Sequence, residues 1–210
     1  LTLKNVYHGI FAQYANFGWT PSAGDPAAMD RPLLDRWILS RLTAVEAGVD
    51  AELQRFDATA ASRALMDFVT EDVANWYVRL SRSRFYEVDG ADNRAAFATL
   101  HEVLTVVMRL LAPFAPFVSD WIHRELTGAS VHLADFTRAI ELDPRSADSY
   151  LQRAILRIGI KGELEHALAD LDRALADHPR YVEALLLLAV CRAQHHDPPG
   201  SARALEKALE

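Results

Sequence analysis

The chain has 210 residues, half of them apolar and about a quarter charged, with a formal net charge of −7. That is enough apolar material for one moderate core or two small ones, and it excludes a disordered chain. The acidic balance excludes nucleic-acid binding by bulk attraction, so any RNA contact has to be local.

From Leu3 to Phe17 the apolar residues Val6, Ile10, Tyr14 and Phe17 recur at helical spacing, and Gly18, Pro21 and Pro26 then open a polar loop to about Arg31. Pro32 suits the first turn of a second helix, whose apolar side carries Leu34, Ile38, Leu42, Val45 and Val49 and which ends near Phe56. Asp57 is placed to cap a third helix. In that helix Ala61, Leu65, Phe68, Val69, Val73, Trp76, Tyr77 and Leu80 repeat at three and four until Asp89-Gly90 breaks it. A fourth helix runs from about Arg94 to Leu111, ended by Pro113 and Pro116, and a fifth from about Phe117 to Leu126, ended by Gly128. No strand pattern competes, so the expected fold is all-α, an antiparallel bundle followed by a second helical module.

Beyond Phe136 the pattern becomes self-similar. Pro144 and Pro179 lie 35 apart, and Ala139, Ala174 and Ala208 recur at 35 and then 34. Tyr150 and Ala154 align with Leu185 and Ala189, Ala167-Leu171-Ala174-Pro179 fills a second helix, and Gly162 supplies a tight turn. Such a period marks a helical-hairpin repeat, and this one resembles the tetratricopeptide repeat. Roughly two and a half units are present. The expected boundaries are 1–135 for the bundle and 136–210 for the repeats.

Several short stretches in the bundle form an ordered set: Lys4-Asn5-Val6-Tyr7, Tyr14-Ala15-Asn16, Leu34 to Leu42 (LDRWILSRL), Asn75-Trp76-Tyr77-Val78-Arg79, Ser81 to Tyr86 (SRSRFY), Leu110 to Phe117 (LLAPFAPF) and Ser130 to Phe136 (SVHLADF). Together they resemble the anticodon-binding domain of isoleucyl-tRNA synthetase over 1–136. The resemblance implies a module that docks the anticodon arm of an isoleucine transfer RNA, working with a catalytic domain expected before Leu1. Nothing resembles the His-Ile-Gly-His or Lys-Met-Ser-Lys-Ser signatures or a Gly-rich phosphate loop. No cofactor is therefore expected in this chain, ATP belonging to that other domain, and the chain by itself is expected to be inactive as a ligase.

Arg79, Arg82 and Arg84 place three guanidinium groups within six residues, flanked by the aromatic Trp76, Tyr77, Phe85 and Tyr86. That mixture suits phosphates and stacked bases and makes Arg79, Arg82, Arg84, Trp76 and Tyr77 the candidate RNA contacts. Spacing alone leaves a second reading, in which Trp76, Leu80 and Phe85 face the core and the arginines pair with neighbouring carboxylates. Trp37 and Arg41, four apart, are spaced for a stacked pair, but Trp37 reads more readily as core. Cys191 with His195 and His196 falls short of four convergent metal ligands, so Cys191 reads as core. Glu71 with Asp72, and Asp170 with Asp172, are expected on solvated helix faces, where they support no hydrolase chemistry. The repeats are expected to grip an unknown peptide or protein. No apolar leader or spanning run appears, and a reducing cytoplasm fits the lone cysteine. The competing reading is a protein-interaction scaffold that binds no RNA, favoured by the acidic charge.

Overall fold

A computed structural model describes residues 2–12, 19–86, 90–160 and 162–209. Every regular element among the described residues is helical. The chain divides into two compact units, Leu1–Gly128 and Ala129–Glu210. Among the described residues no helix is long and apolar enough to cross a membrane.

In the first unit, α1 (Thr2–Val6) continues in π-helical winding through Tyr7–Ala12. The expected end of this helix, with Tyr14, Phe17 and Gly18, lies outside the described residues, as does Asp89. A single 3-10 turn, Ala28–Asp30, precedes α2 (Leu33–Gln54), which starts directly after Pro32. Helix α3 (Ala58–Asp67) begins where the sequence places a cap, the Asp57 carboxylate accepting a hydrogen bond from the Ala60 amide at 2.8 Å. Such a cap stabilises a helix start by about 1 kcal/mol. The short α4 (Arg82–Tyr86), α5 (Ala91–Leu111) and α6 (Pro116–Thr127) complete the unit. Pro116 opens α6, and Gly128 ends it at φ +75°, a left-handed conformation that a side chain would strain.

Helix α5 carries the unit's most buried face. Phe97, Leu100, Val103, Leu104, Val107 and Met108 meet Ile38 and Leu42 of α2 and Leu65, Phe68 and Val73 of the third helix. Each such side chain, fully buried, contributes about 1.5–3 kcal/mol before entropy is counted.

After Asp67 the third helix changes winding, and Phe68–Val78 is π-helical. An i→i+5 winding takes more residues per turn, so the three-and-four spacing expected to carry the apolar stripe drifts around the axis. Tyr77 and Val78 turn inward, while Trp76 and Leu80, read from the sequence as part of the stripe, are 58% and 56% exposed.

The second unit is a run of helices in which each packs on the next: α7 (Val131–Leu142), α8 (Ala147–Ile158), α9 (Leu164–Asp177), α10 (Val182–Gln194) and α11 (Pro198–Leu209). Phe136, where the sequence changes texture, lies inside α7. The two turns 35 residues apart are closed alike, Ser146 donating its amide to the Asp143 carbonyl and Tyr181 to that of His178, each at 3.1 Å. Gly162 precedes α9 at φ +91°. The core is made of small residues, Ala154, Ala167, Ala174, Ala184 and Ala189, with Leu171, Leu188 and Cys191. Burial pushes the Cys191 thiol above its ordinary pKa.

One expectation is overturned here. Asp170 is buried, not on a solvated face, because Arg153 and Arg157 of α8 reach it from across the hairpin. Arg153 donates from Nη2 to Oδ1 at 2.6 Å and from Nε to Oδ2 at 2.9 Å, and Arg157 donates from Nη1 to Oδ2 at 2.8 Å.

Candidate nucleic-acid interface

The five residues singled out in the sequence separate into an inner pair and an outer set. Tyr77 and Arg84 form the inner pair. Arg84 sits on the short α4 and meets Asp35, in the first turn of α2, with both terminal nitrogens: Nη1 to Oδ1 and Nη2 to Oδ2, each 2.7 Å. Its Nε donates to Asp92 Oδ1 at 2.9 Å. The Tyr77 hydroxyl donates to the same Asp35 Oδ1 at 2.8 Å.

Asp35 and Tyr77 have no exposed surface, and Arg84 has little. Burial works against the Arg84 charge, but hydrogen bonds and charge from Asp35, with help from Asp92, outweigh it and hold the guanidinium above its ordinary pKa. Burial, followed by the Asp35 carboxylate, pushes the Tyr77 phenol well above its ordinary value. A bidentate pair with two further hydrogen bonds has its polar groups satisfied and offers none to RNA. Tyr77 and Arg84 therefore lie beneath the candidate surface rather than on it.

The outer set is Trp76, Arg79 and Arg82. Arg79 is exposed, and its side chain makes no hydrogen bond or ion pair among the described residues. Arg82 lies along Tyr86, its Nε donating to the tyrosine oxygen at 3.1 Å with the guanidinium 5.9 Å from the ring centroid. Trp76 stands beside Trp37 of α2, ring centroids 6.5 Å apart and planes 52° from one another. Trp37 is partly buried against the core, as expected. Arg41, one turn on, is paired with Asp72 of the π-helical segment at 2.8 Å. The inner anchors Asp35 and Asp92 were not anticipated. The available signal was that Asp35 falls on the stripe shared by Ile38, Leu42 and Val49, and an acid on a buried stripe requires a cation from elsewhere.

Among the described residues no group of three or more His, Cys, Asp or Glu side chains is arranged to hold a metal ion. In the second unit Leu151, Ile155, Leu186 and Val190 line an open apolar groove of about 570 Å³ with Tyr181 and Glu183 at its edge.

The sequence profile of the anticodon-binding domain of tRNA ligase matches residues 35–166, running through α7 and α8 into the start of α9. The isoleucine–tRNA ligase of Deinococcus radiodurans is 45% identical over 163 residues, 75% of this chain and 15% of that protein. That of Thermus thermophilus is 41% identical over 169 residues, 75% of this chain and 16% of the enzyme. The ligase of Porphyromonas gingivalis is 43% identical over 158 residues, 73% and 13% respectively. The chain thus spans about 15% of the length of such relatives.

Proposed function

Because the chain belongs to the family of anticodon-binding domains of tRNA ligases, we propose that its first unit docks the anticodon arm of a transfer RNA, of isoleucine type by its relatives. The observation that carries this reading is the outer face, where Trp76, Arg79 and Arg82 are presented together while the neighbouring arginine, Arg84, is held inside. Exposed guanidinium groups meet phosphates, and their number sets how steeply affinity falls with salt. The aminoacylation of the full-length relatives is not assigned to any residue of this chain, which takes the docking part of that task in the cytoplasm.

For the second unit, Ala129–Glu210, we propose a short tetratricopeptide-like array that grips a peptide or protein. The matched turns at Asp143–Ser146 and His178–Tyr181 support it, and so does the apolar groove between α8 and α10. The non-RNA scaffold reading draws on the same groove and on the acidic balance.

Binding of isoleucine and non-cognate transfer RNAs to the whole chain, at low and physiological salt, tests the proposal. Salt-sensitive binding is expected, its log–log slope falling by about one for each of Arg79→Ala and Arg82→Ala. Equal, negligible binding to both RNAs at low salt would leave the scaffold.

A further inference from the structure

From Trp19 to Arg31 the chain runs beside α5 as a loop with a single 3-10 turn, and two arginines tie it to that helix. Arg94, near the start of α5, holds Asp25 Oδ1 at 2.6 Å and the Ser22 hydroxyl at 2.6 Å. Further along, Arg31 donates from Nη1 to Glu102 Oε2 at 2.9 Å and from Nε to the Pro26 carbonyl at 2.9 Å. Trp19 lies along one stripe of α5, its ring stacked on Phe97 with centroids 5.7 Å apart and 5.6 Å from the ring of His101. Thr105 is the next residue of that stripe, one turn beyond His101. Loop and helix border a cavity of about 460 Å³, lined by Trp19 and Thr105 together. Its volume is that of a small-molecule site.

The Trp19 indole Nε1 and the Thr105 hydroxyl are both buried from solvent, and neither has a hydrogen-bond partner among the described residues. Trp19 as a whole is 8% exposed. A buried polar group without a partner is uncommon and costly in a native fold, so two of them beside one cavity call for a ligand that bonds to both. The indole can only donate, so the ligand brings an acceptor to Trp19; the hydroxyl can give or take the second bond. The charged side chains of the walls are already matched, Arg31 with Glu102 and Asp25 with Arg94, which leaves no free charge to hold an ionised ligand. We infer that this cavity is a binding site for a small uncharged amide, whose carbonyl accepts from Trp19 Nε1 and whose N–H donates to Thr105 Oγ1. None of its residues belongs to the outer set of Trp76, Arg79 and Arg82, so the site stands independently of the docking function.

The test is titration of the whole chain with acetamide and with its two charged isosteres, acetate and acetamidinium. Binding is followed through the indole N–H signals of the four tryptophans in nitrogen–proton correlation NMR. The Trp19 signal is the one missing from Trp19→Phe. Acetamide is expected to move that signal to saturation on the order of millimolar, leaving the other indoles in place, while the charged isosteres bind at least roughly 5-fold more weakly. Thr105→Val should weaken acetamide binding roughly 5- to 150-fold, and Thr105→Ser should bind as wild type does. Because the Thr105 hydroxyl has no partner to lose, Thr105→Val is expected to fold at least as stably as wild type. A response that never saturates, or undiminished affinity in Thr105→Val, would overturn the site and leave both groups to ordered water. Saturation by acetate or acetamidinium at the same concentration as acetamide would overturn the assignment to an uncharged amide.

Discussion

Replacing Arg84 by alanine should act on the fold, and this separates the two kinds of arginine in one short segment. The substitution leaves the Asp35 carboxylate fully buried with the Tyr77 hydroxyl as its remaining donor, and strips Asp92 of its partner. Removing one member of a buried, bidentate pair costs about 3–5 kcal/mol, because the other charge is left uncompensated. Against a domain stability of roughly 5–15 kcal/mol that is a large fraction, worth on the order of 10–20 °C in melting temperature. Arg79→Ala, five residues away on the exposed face, should stay within about 0.5 kcal/mol of wild type. Urea denaturation followed by circular dichroism, with thermal melts of both variants, makes the comparison. A loss below about 1 kcal/mol for Arg84→Ala, or equal losses for the two variants, would refute the division into an inner and an outer set.

Two further outcomes follow from buried groups. Tyr77 must keep its proton to donate to Asp35, and its pKa is raised in the folded state above the ordinary 10.0. Its stabilising contribution should thus be complete below about pH 10 and fade as the pH climbs towards the folded value. Denaturation midpoints measured from pH 8 to 11 should fall at the alkaline end in wild type and less steeply in Tyr77→Phe; parallel profiles would contradict this. In the second unit, Asp170→Ala leaves Arg153 and Arg157 facing one another without their shared anion, at an expected cost of about 3–5 kcal/mol in urea denaturation, while Asp172→Ala, at an exposed position, should cost less than about 1 kcal/mol.

Local punctuation in this chain is readable without the fold. Asp57, Pro116 and Gly128 mark helix ends because capping, a missing amide and a left-handed turn are properties of one or two residues. The 35-residue recurrence likewise marks the two alike turns at Pro144 and Pro179. What spacing does not reveal is which charges go inside. Asp35 and Arg84 are 49 residues apart, and neither declares its partner locally. Both buried acids nevertheless lie on apolar stripes, Asp35 with Ile38 and Leu42, and Asp170 with Ala167, Leu171 and Ala174. An acid in that position announces an arginine from another helix, although not which one. The change of winding at Phe68 has no comparable mark, and it decides that Trp76 faces out while Tyr77 faces in.

Net charge is a poor guide to this surface for the same reason. The first unit's arginines are largely engaged with carboxylates: Arg31 with Glu102, Arg41 with Asp72, Arg84 with Asp35 and Asp92, Arg94 with Asp25, and Arg124 with Asp120. A cation already paired has little counterion to release when a phosphate arrives, so such residues add little to RNA affinity. What matters is where unengaged cations lie, and the exposed Arg79 lies one turn from the exposed Trp76 on the third helix. A chain of −7 can thus present a locally basic, aromatic strip. Over a Debye length of roughly 8 Å at physiological salt, a phosphate at that strip is screened from most of the acidic charge elsewhere. The acidic balance therefore limits long-range attraction and the rate of encounter, and it does not oppose a short-range contact once the RNA is in place.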